Sequence, residues 1–170
     1  MNNRLPSGDL VIRPASITDI PHIQAIASAT WPAAYSSILG EDQLQYMLQK
    51  FYSTLSLQQQ MEDNHYFFLA LKQYQPVGFA SFSHISGGIY KLQKLYVLPP
   101  EQRMGIGKCL LESIEDLAKS MGGDTMQLNV NRNNKATNFY SRNGYSIVRE
   151  EDIEIGSDYF MNDYIMEKTL

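Results

Sequence analysis

The sequence predicts an α/β (α+β) fold in which a mixed sheet is flanked by helices, within a single domain spanning residues 1–170. The first observation is length, because 170 residues suit one domain with a real hydrophobic core. The second is an apolar content of 44%, which is ordinary for a globular protein and argues against disorder. The third is the order of the apolar patterns, β-α-α-β-β-β-α-β-α-β-β.

The N-terminal part contains one predicted strand and two predicted helices. Residues 9–14 form the strand, and Thr18 is predicted to cap a helix that Trp31-Pro32 ends. A second helix is predicted over residues 41–61, because its apolar residues recur with helical spacing at Leu44, Met47, Leu48 and Phe51.

Three strands are predicted next. A dense apolar run over residues 66–71 is expected to turn at Gln75-Pro76 into a hairpin partner over residues 77–84. Gly87-Gly88 then turns the chain into a central strand over residues 89–98.

The C-terminal part begins with an amphipathic helix predicted over residues 105–121, which Gly122-Gly123 ends. Its apolar stripe is Ile106, Leu110, Ile114, Leu117 and Met121. The remaining predicted elements are a strand at 125–130, a helix at 134–143, and two strands at 145–154 and 158–168.

The loop between the central strand and this helix has the character of an anion site. It reads Gln102-Arg103-Met104-Gly105-Ile106-Gly107-Lys108. Glycines let the backbone approach a ligand, and the free N–H groups of a helix start attract phosphate. A Walker A loop is excluded, because Gln102 and Cys109 stand where glycine and Ser or Thr are needed. The dinucleotide fingerprint also fails, because Leu110 occupies the third glycine position.

The remaining pattern, Q-x-x-G-x-G, resembles the pyrophosphate loop of the GNAT superfamily of N-acetyltransferases. A second stretch strengthens the resemblance. The predicted strand ending Leu128-Asn129-Val130 leads into residues 131–140, with the pattern N-x-x-A-x-x-F-Y, and then into Asn143-Gly144-Tyr145. This arrangement is similar to the second GNAT motif. The resemblance covers about residues 66–170 and implies a mixed, mostly antiparallel central sheet with a cofactor gap beside its central strand.

The resemblance implies acetyl-CoA as co-substrate and assigns residues to it. Backbone groups of Leu95, Tyr96 and Val97 are expected to pair with the pantetheine arm. Asn133 is expected to contact that arm, or simply to cap the following helix. The pyrophosphate is expected on the loop formed by Gln102, Arg103, Met104, Gly105, Ile106, Gly107 and Lys108, where the Arg103 and Lys108 side chains either add contacts or lie in solvent.

Tyr140 is the expected catalytic and cofactor-contacting residue, since the family's tyrosine at this position protonates the departing thiolate. A phenol with a pKa near ~10 stays protonated at neutral pH, as a proton donor should. Helical spacing also allows a packing role for Tyr140. Many relatives carry a glutamate base on the central strand, but residues 90–94 contain no acid. His84 and Glu41 are weak substitutes, so the base is left open.

The acceptor is predicted to be a small polyamine or another primary amine. Aromatic side chains in the first helical region, Trp31, Tyr35 and Tyr46, are suited to holding a cation but equally to core packing. The ending, residues 159–170, resembles that of bacterial spermidine/spermine N-acetyltransferases. Peptide N-termini and protein lysines are alternative acceptors, and a non-catalytic acyl-CoA-binding module is an alternative of another class.

Charge and composition exclude several other functions. The net charge is −4, of which residues 149–170 contribute −5 through seven acids and two bases, leaving +1 elsewhere. The sequence has no basic stripe of the kind that binds nucleic acid, and it has no run of about 18 apolar residues that could cross a membrane. The three histidines share no metal-ligand spacing, so no metal is expected. The single cysteine, Cys109, is expected to be a buried inert thiol and fits a cytoplasmic location. Exposed strands near the C-terminus are expected to allow a homodimer.

Overall fold

The computed structural model describes residues 9–170, which form seven strands and five helices. The strands are β1 (Leu10–Pro14), β2 (Tyr66–Lys72), β3 (Gln75–Ser86), β4 (Ile89–Val97), β5 (Thr125–Asn131), β6 (Ser146–Gly156) and β7 (Tyr159–Thr169). The helices are α1 (Ile20–Tyr35), α2 (Glu41–Tyr52), α3 (Thr54–Glu62), α4 (Ile106–Ser120) and α5 (Ala136–Arg142).

The strands form one sheet in the order β1-β2-β3-β4-β5-β7-β6. Every pair within residues 9–170 is antiparallel except β4–β5, because α4 carries the chain back to the start of the sheet between these two strands. The expectation of a mixed, mostly antiparallel sheet flanked by helices is therefore confirmed.

Each face of the sheet has its own hydrophobic core. On one face, α4 and α5 pack against apolar residues from all the central strands, with Leu110, Ile114 and Leu128 fully buried. On the other face, α1, α2 and α3 enclose a second core that includes Ile23 and Phe79. Cys109 lies in the first core, as expected, and burial raises the pKa of its thiol.

The first helix does not end at Trp31-Pro32, as the sequence suggested. It continues to Tyr35, and Pro32 lies inside it while its carbonyl accepts from the Ser36 N–H at 3.0 Å. A proline inside a helix costs about 3 kcal/mol or more. Here the last turn is held by burial of Trp31, whose ring centroid lies 4.7 Å from that of Tyr35 and 5.9 Å from that of Tyr96.

The predicted helix over residues 41–61 is two helices rather than one. Ser53 has an extended backbone, with φ of −60° and ψ of 153°, and its hydroxyl accepts from the Ser56 N–H at 3.2 Å. A serine side chain at an N-cap replaces a missing intrahelical bond, and this lets a second helix start after a sharp bend.

Three smaller expectations were also wrong. The β2–β3 hairpin turns at Gln73 and Tyr74, both with positive φ, rather than at Gln75-Pro76, which lie in β3. Met121 is exposed, because α4 already ends at Ser120. Thr18 does not cap α1. The N-cap of α1 is Asp19, whose carboxylate accepts from the Ser16 N–H.

Asp19 anchors the start of α1 to β1. Its carboxylate accepts two hydrogen bonds from the Arg13 guanidinium, both at 2.9 Å, and a third from the Ser16 N–H at 2.9 Å. The hydrogen bonds with Arg13 are the main cause that lowers the pKa of Asp19 to about 2. Because α1 carries Trp31 and Tyr35 to the other end of the sheet face, this anchor helps to fix their position.

Among the described residues, none of the helices combines the length and the apolar character that crossing a bilayer requires.

Replacing Asp19 by Asn should lower the free energy of unfolding at pH 7 by about 1–2 kcal/mol, because the charged bonds to Arg13 are lost. The unfolded-state pKa is about 3.8 and the folded-state pKa about 2, so the stabilisation is complete above the first value and disappears as pH falls towards the second. Urea unfolding at several pH values checks this. The exposed Asp116→Asn variant is the control, and an Asp19→Asn variant as stable as that control would contradict the prediction.

Candidate active site

A gap opens in the sheet where β4 and β5 separate. The two strands pair over only four positions, from Ile89 with Thr125 to Leu92 with Leu128. Beyond this point Gln93 is an extra residue in β4, since Ser81 of β3 pairs with Lys94 and Phe82 pairs with Leu92. Such a bulge bends a strand and increases its twist, which accounts for the separation. The last part of β4 therefore has one edge free of a partner strand.

The gap is lined by both strands and by α1 and α5. Its lining residues are Tyr35, Leu92, Gln93, Lys94, Leu95, Tyr96, Leu128, Asn129, Val130, Asn134, Ala136 and Tyr140. Three residues predicted from the sequence, Leu95, Tyr96 and Tyr140, are thus brought together here. Val97 lies at the end of β4, just outside the gap. Its carbonyl oxygen accepts a hydrogen bond from the Gln102 side chain at 3.0 Å.

The glycine loop follows β4 after a short 3-10 turn over Pro99–Glu101. Arg103 and Gly105 have left-handed backbones, with φ of 66° and 81°, while Met104 between them does not. Such alternation turns successive N–H groups towards one concave surface, which suits an anion. Gly105 is the N-cap of α4, so the free N–H groups and the dipole of a 15-residue helix add to the same surface. The geometry is that of a phosphate cradle.

The residues around the cradle have different surroundings. Ile106 is buried in the core and fixes the start of α4. A Cβ on Gly107 would lie 3.6 Å from the Phe139 ring, so this helix start packs closely against α5. The Lys108 side chain is 61% exposed and lies 3.7 Å from Glu112. Arg103 and Met104 are exposed.

Tyr140 is held in the gap by aromatic neighbours. The residue is buried, and its ring makes edge contacts with Phe139 and Tyr145 at centroid distances of 5.3 and 5.8 Å. Burial, with a smaller contribution from Tyr35, raises the pKa of Tyr140 well above that of a free phenol. The hydroxyl therefore stays protonated at any physiological pH and can act as a proton donor.

A buried polar cluster lies behind Tyr140, on the side of α4. Tyr145 donates to Glu115 Oε1 at 2.8 Å, and Lys168 Nζ donates to Glu115 Oε2, also at 2.8 Å. Gly144, with φ of 93°, ends α5, and the Tyr145 N–H returns to the Tyr140 carbonyl at 3.1 Å. These contacts fix the Tyr145 ring against which Tyr140 packs. Glu115 was not anticipated from the sequence, because it lies at the border of the apolar stripe of α4.

The turn between β5 and α5 is built from asparagines. Asn131 Oδ1 accepts from the Asn133 N–H, and Asn134 Oδ1 accepts from the Ala136 N–H, both at 2.9 Å. Asn134, and not Asn133, therefore satisfies the start of α5 and lines the gap. The alternative of Asn133 as helix cap is wrong, because α5 begins two residues later than the sequence suggested. Asn133 is exposed beside the turn, and its contact with the cofactor stays a prediction.

Phenols line the side of the gap that faces α1. The Tyr35 and Tyr96 hydroxyls lie 3.1 Å apart, and the Tyr96 ring packs against Trp31 and Phe79. Burial raises the pKa of both phenols, so they are neutral hydrogen-bonding groups. Of the three aromatic residues suggested for the acceptor, Tyr35 lines the gap, Trp31 is core, and Tyr46 donates to the Ile155 carbonyl in β6 at 3.0 Å.

Lys94 is a partly buried lysine on this side of β4. Its Nζ donates to Gln60 Oε1 at 2.6 Å and lies 5.5 Å from the centroid of the Tyr52 ring. Burial, followed by repulsion from Lys91, lowers the pKa of Lys94 to about 8.

The weak candidates for the base do not lie in the gap. His84 lies near the end of β3, where its Nε2 contacts the Gly87 carbonyl of the β3–β4 turn at 2.8 Å, at the closed end of the β4–β5 pair. Glu41 begins α2, is exposed, and accepts from Gln45 at 2.9 Å. The described residues contain no group of three or more His, Cys, Asp or Glu side chains arranged to hold a metal ion.

One acidic residue of the C-terminal part is buried, unlike most of its neighbours. Asp163 in β7 is 1% exposed, and its Oδ2 accepts from the gap-lining Asn129 at 3.4 Å. By contrast, Glu150 and Asp152 form exposed ion pairs with Arg132. The sequence did not distinguish Asp163 from the other six acids of residues 149–170, because strand pairing decides which of them point inward.

Known proteins resemble this chain in both sequence and structure. Residues 36–165 match the Acetyltransferase (GNAT) domain family. The chain is 29% identical over 156 residues to a spermidine N(1)-acetyltransferase of Thermoplasma acidophilum, covering 88% of this chain and 94% of that protein. An 88-residue stretch is 31% identical to the uncharacterised protein YyaT of Bacillus subtilis, covering 52% of this chain and 57% of that protein.

Solved structures agree with these sequence relatives. The crystal structure of PaiA N-acetyltransferase from Thermoplasma acidophilum, in complex with coenzyme A, superposes with a TM-score of 0.81 at 28% identity, covering 95% of this chain and 99% of that one. The ribosomal-protein-S18-alanine N-acetyltransferase of Escherichia coli shares the fold, with a TM-score of 0.71 at 20% identity over 94% of this chain and 93% of that one.

The match to the family spans more than half of the chain, and the gap, the phosphate cradle and Tyr140 lie within it. This chain therefore belongs to the GNAT family of N-acetyltransferases, enzymes that use acetyl-CoA as the acetyl donor.

Proposed function

We propose that this enzyme transfers the acetyl group of acetyl-CoA to a primary amine of a small polyamine, with Tyr140 as the proton donor. The observation that carries the proposal is the gap between β4 and β5, which Tyr140 lines, while the phosphate cradle lies further along the chain, at the start of α4. A free strand edge, an anion cradle and a buried phenol together suit a long phosphorylated thioester.

The cofactor residues are proposed as follows. Backbone groups of Leu95, Tyr96 and Val97 pair with the pantetheine amides along the free edge of β4. The Val97 carbonyl already accepts from Gln102, and a carbonyl oxygen has a second lone pair for the cofactor. Asn133 contacts the same arm. The pyrophosphate lies against the N–H groups of Gln102, Arg103, Met104, Gly105, Ile106, Gly107 and Lys108.

The side chains of Arg103 and Lys108 make a smaller contribution than these backbone groups. Both are exposed, and Lys108 already lies near Glu112. Exposed ion pairs contribute about 0.2–1 kcal/mol each, so the N–H groups of the loop dominate phosphate binding.

Tyr140 acts on the leaving group. When the amine forms its bond to the acetyl carbon, the C–S bond breaks, and the thiolate needs a proton or a hydrogen bond. A buried phenol with a raised pKa remains protonated until the thiolate appears beside it. The Tyr145 ring, fixed by Glu115, holds Tyr140 in place.

Two observations support a polyamine as acceptor. The relative from Thermoplasma acidophilum that matches 88% of this chain is a spermidine N(1)-acetyltransferase. In addition, β7 and β6, the two strands beyond β5 in the sheet, carry most of the seven acids of residues 149–170, and this negative potential attracts polycations. A peptide N-terminus and a protein lysine carry less positive charge and gain less from this field.

Thiol release from acetyl-CoA tests the proposal against an acceptor panel of spermidine, spermine, aminoglycosides, amino acids and short peptides. Saturable release with polyamines, weakened by salt, is the expected result. Release with peptides alone would overturn the polyamine class and leave the acetyltransferase activity in place.

A cytoplasmic location is part of the same proposal, supported by the single cysteine, which a reducing compartment would leave unpaired.

A homodimer is proposed as well. It is supported by β6, an edge strand of the sheet that exposes Ile147 and Val148, and light scattering measures the mass directly.

Tyr140→Phe should reduce kcat by about 100-fold, because the phenyl ring keeps the packing and loses the proton donor. The dissociation constant of coenzyme A should remain within about two-fold, since the hydroxyl acts on the leaving group rather than on binding. Steady-state kinetics and calorimetric titration give the two values. Tyr74→Phe is the matched control, because Tyr74 is 94% exposed in the β2–β3 turn. Equal kcat in the two variants would remove Tyr140 from the reaction.

Gly105→Ala should weaken coenzyme A binding by about ten-fold, because alanine in a left-handed backbone costs about 1–2 kcal/mol and the loop relaxes away from its cradle shape. Calorimetric titration with coenzyme A measures the change. Gly40→Ala is the control, since Gly40 caps α2 with φ of −66° and a Cβ there meets nothing within 4 Å. Unchanged affinity in Gly105→Ala would show that the phosphate cradle does not bind the cofactor.

A further inference from the structure

We propose that Asp163 binds the ammonium group of the acceptor amine and takes its proton before the amine attacks the thioester. The inference rests on the proposed N-acetyltransferase reaction. It assigns the general base, for which the family motifs gave no candidate and β4 carries no acid. Three observations carry it: a buried carboxylate oxygen without a partner, its place beside the gap, and the charges around it.

The carboxylate of Asp163 is buried and only partly satisfied. Its Oδ2 accepts from Asn129 Nδ2 at the long distance of 3.4 Å. Its Oδ1 is buried and has no hydrogen-bond donor among residues 9–170. Native structures leave few such groups unpaired, and each one suggests a missing partner. An ammonium group supplies three donors and a positive charge, which is what this oxygen lacks.

The position of Asp163 follows from the strand pairing. In β5, Leu128 and Val130 point into the core beneath α4, so Asn129 and Asn131 point to the opposite face. Asp163 pairs with Asn131 across β5 and β7, so its side chain lies on that same face. Its neighbour Asn129 lines the gap. The carboxylate therefore lies on the face of the sheet that α1 covers, opposite the side occupied by α4 and α5, and directly behind a residue that lines the gap.

Tyr35 of α1 lies on the same face of the sheet as Asp163. The charge of Asp163 contributes to the raised pKa of Tyr35, and Tyr35 lines the gap and lies 3.1 Å from the Tyr96 hydroxyl. Two phenols thus line the gap on the same face of the sheet as the Asp163 carboxylate, and aromatic and anionic groups together suit a cationic amine.

None of the described charged groups around Asp163 forms an ion pair with it. Lys91 of β4 and Arg132 after β5 act to lower its pKa, and Glu151 of β6 acts to raise it. Neither cation lies within 4 Å of it, and Arg132 is already paired with Glu150 and Asp152. Burial is the largest effect and raises the pKa of Asp163 above that of an exposed aspartate. A raised pKa makes the carboxylate a better proton acceptor near neutral pH.

The proton balance closes with this assignment. The ammonium gives one proton to Asp163 and becomes a neutral amine, whose nitrogen forms the bond to the acetyl carbon while the C–S bond breaks. Tyr140 gives its proton to the thiolate, and the second proton lost by the nitrogen restores the phenol. Asp163 then releases its proton to water. The products are the acetamide, coenzyme A as free thiol and one proton.

The test compares Asp163→Asn with the wild type and with Asp116→Asn, an exposed aspartate on α4 that gives the same change in charge. Initial rates of thiol release are measured with spermidine from pH 5 to pH 9, alongside the thermal midpoint and coenzyme A affinity. We expect kcat/KM to fall by about 100-fold in Asp163→Asn at pH 7. Coenzyme A affinity should stay within about two-fold of the wild type.

Two readouts separate proton transfer from a structural role. In the wild type, kcat/KM should decrease at acid pH, and this acid limb reflects the protonation of Asp163. In Asp163→Asn, kcat/KM should instead rise steadily from pH 5 to pH 9, because only the free amine reacts and its fraction grows with pH. A fluorinated primary amine, which is already neutral at pH 7, should also be acetylated by the variant with a much smaller loss than spermidine. A merely structural residue would affect both amines equally.

Each outcome decides a specific point. Activity of Asp163→Asn equal to that of Asp116→Asn, an unchanged acid limb, or an equal loss with both amines would overturn the role of Asp163 alone. Absence of turnover by the wild type with every amine, while coenzyme A still binds, would overturn the proposed function and this role with it.

Discussion

The separation of β4 from β5 is the constraint on which the rest of the site depends. The parallel pair holds for four positions and then ends at the Gln93 bulge, so the backbone of residues 93–97 loses a partner strand on one side. Unpaired N–H and C=O groups are costly when buried, and they make this edge a template for an extended ligand. A short turn over residues 98–101 separates this edge from the glycine loop, and the Gln102 side chain ties the loop back to the Val97 carbonyl at the end of the edge.

The two sides of the gap have different physical characters. On the side of α4 and α5, Tyr140 packs on Tyr145, which a buried network of Glu115 and Lys168 holds in place. On the side of α1, the neutral phenols Tyr35 and Tyr96 face the gap. Both arrangements use burial to hold phenols in the protonated form, so hydrogen-bond donors are fixed without adding charge. This leaves carboxylates as the groups that determine the sign of the potential around the acceptor.

Local features of the sequence predicted the local structure of the glycine loop and of the start of α4 well. The glycine loop, the start of α4 and Tyr140 belong to short contiguous patterns, whose geometry depends on the backbone preferences of a few residues. The same kind of reasoning was wrong at Pro32, because the burial of Trp31 comes from residues distant in sequence. It was also wrong at Ser53, where one side-chain cap replaces a helical turn. Strand pairing separates Asp163 from its six acidic neighbours, and the sequence contains no local sign of that pairing.

The distribution of charge on the sheet explains why a base on β4 would be unfavourable in this chain. In β4, Lys91 and Lys94 occupy the part of the strand where the GNAT resemblance would place a glutamate. Burial, followed by repulsion from Lys91, lowers the pKa of Lys94. A cationic amine close to β4 would meet this positive potential in a region of low dielectric, where repulsion is strong. Two strands away, Asp163 supplies a negative charge that no described cation within 4 Å neutralises. An ammonium is therefore most stable at the β5–β7 wall, and a carboxylate there binds the cation and accepts its proton in one position.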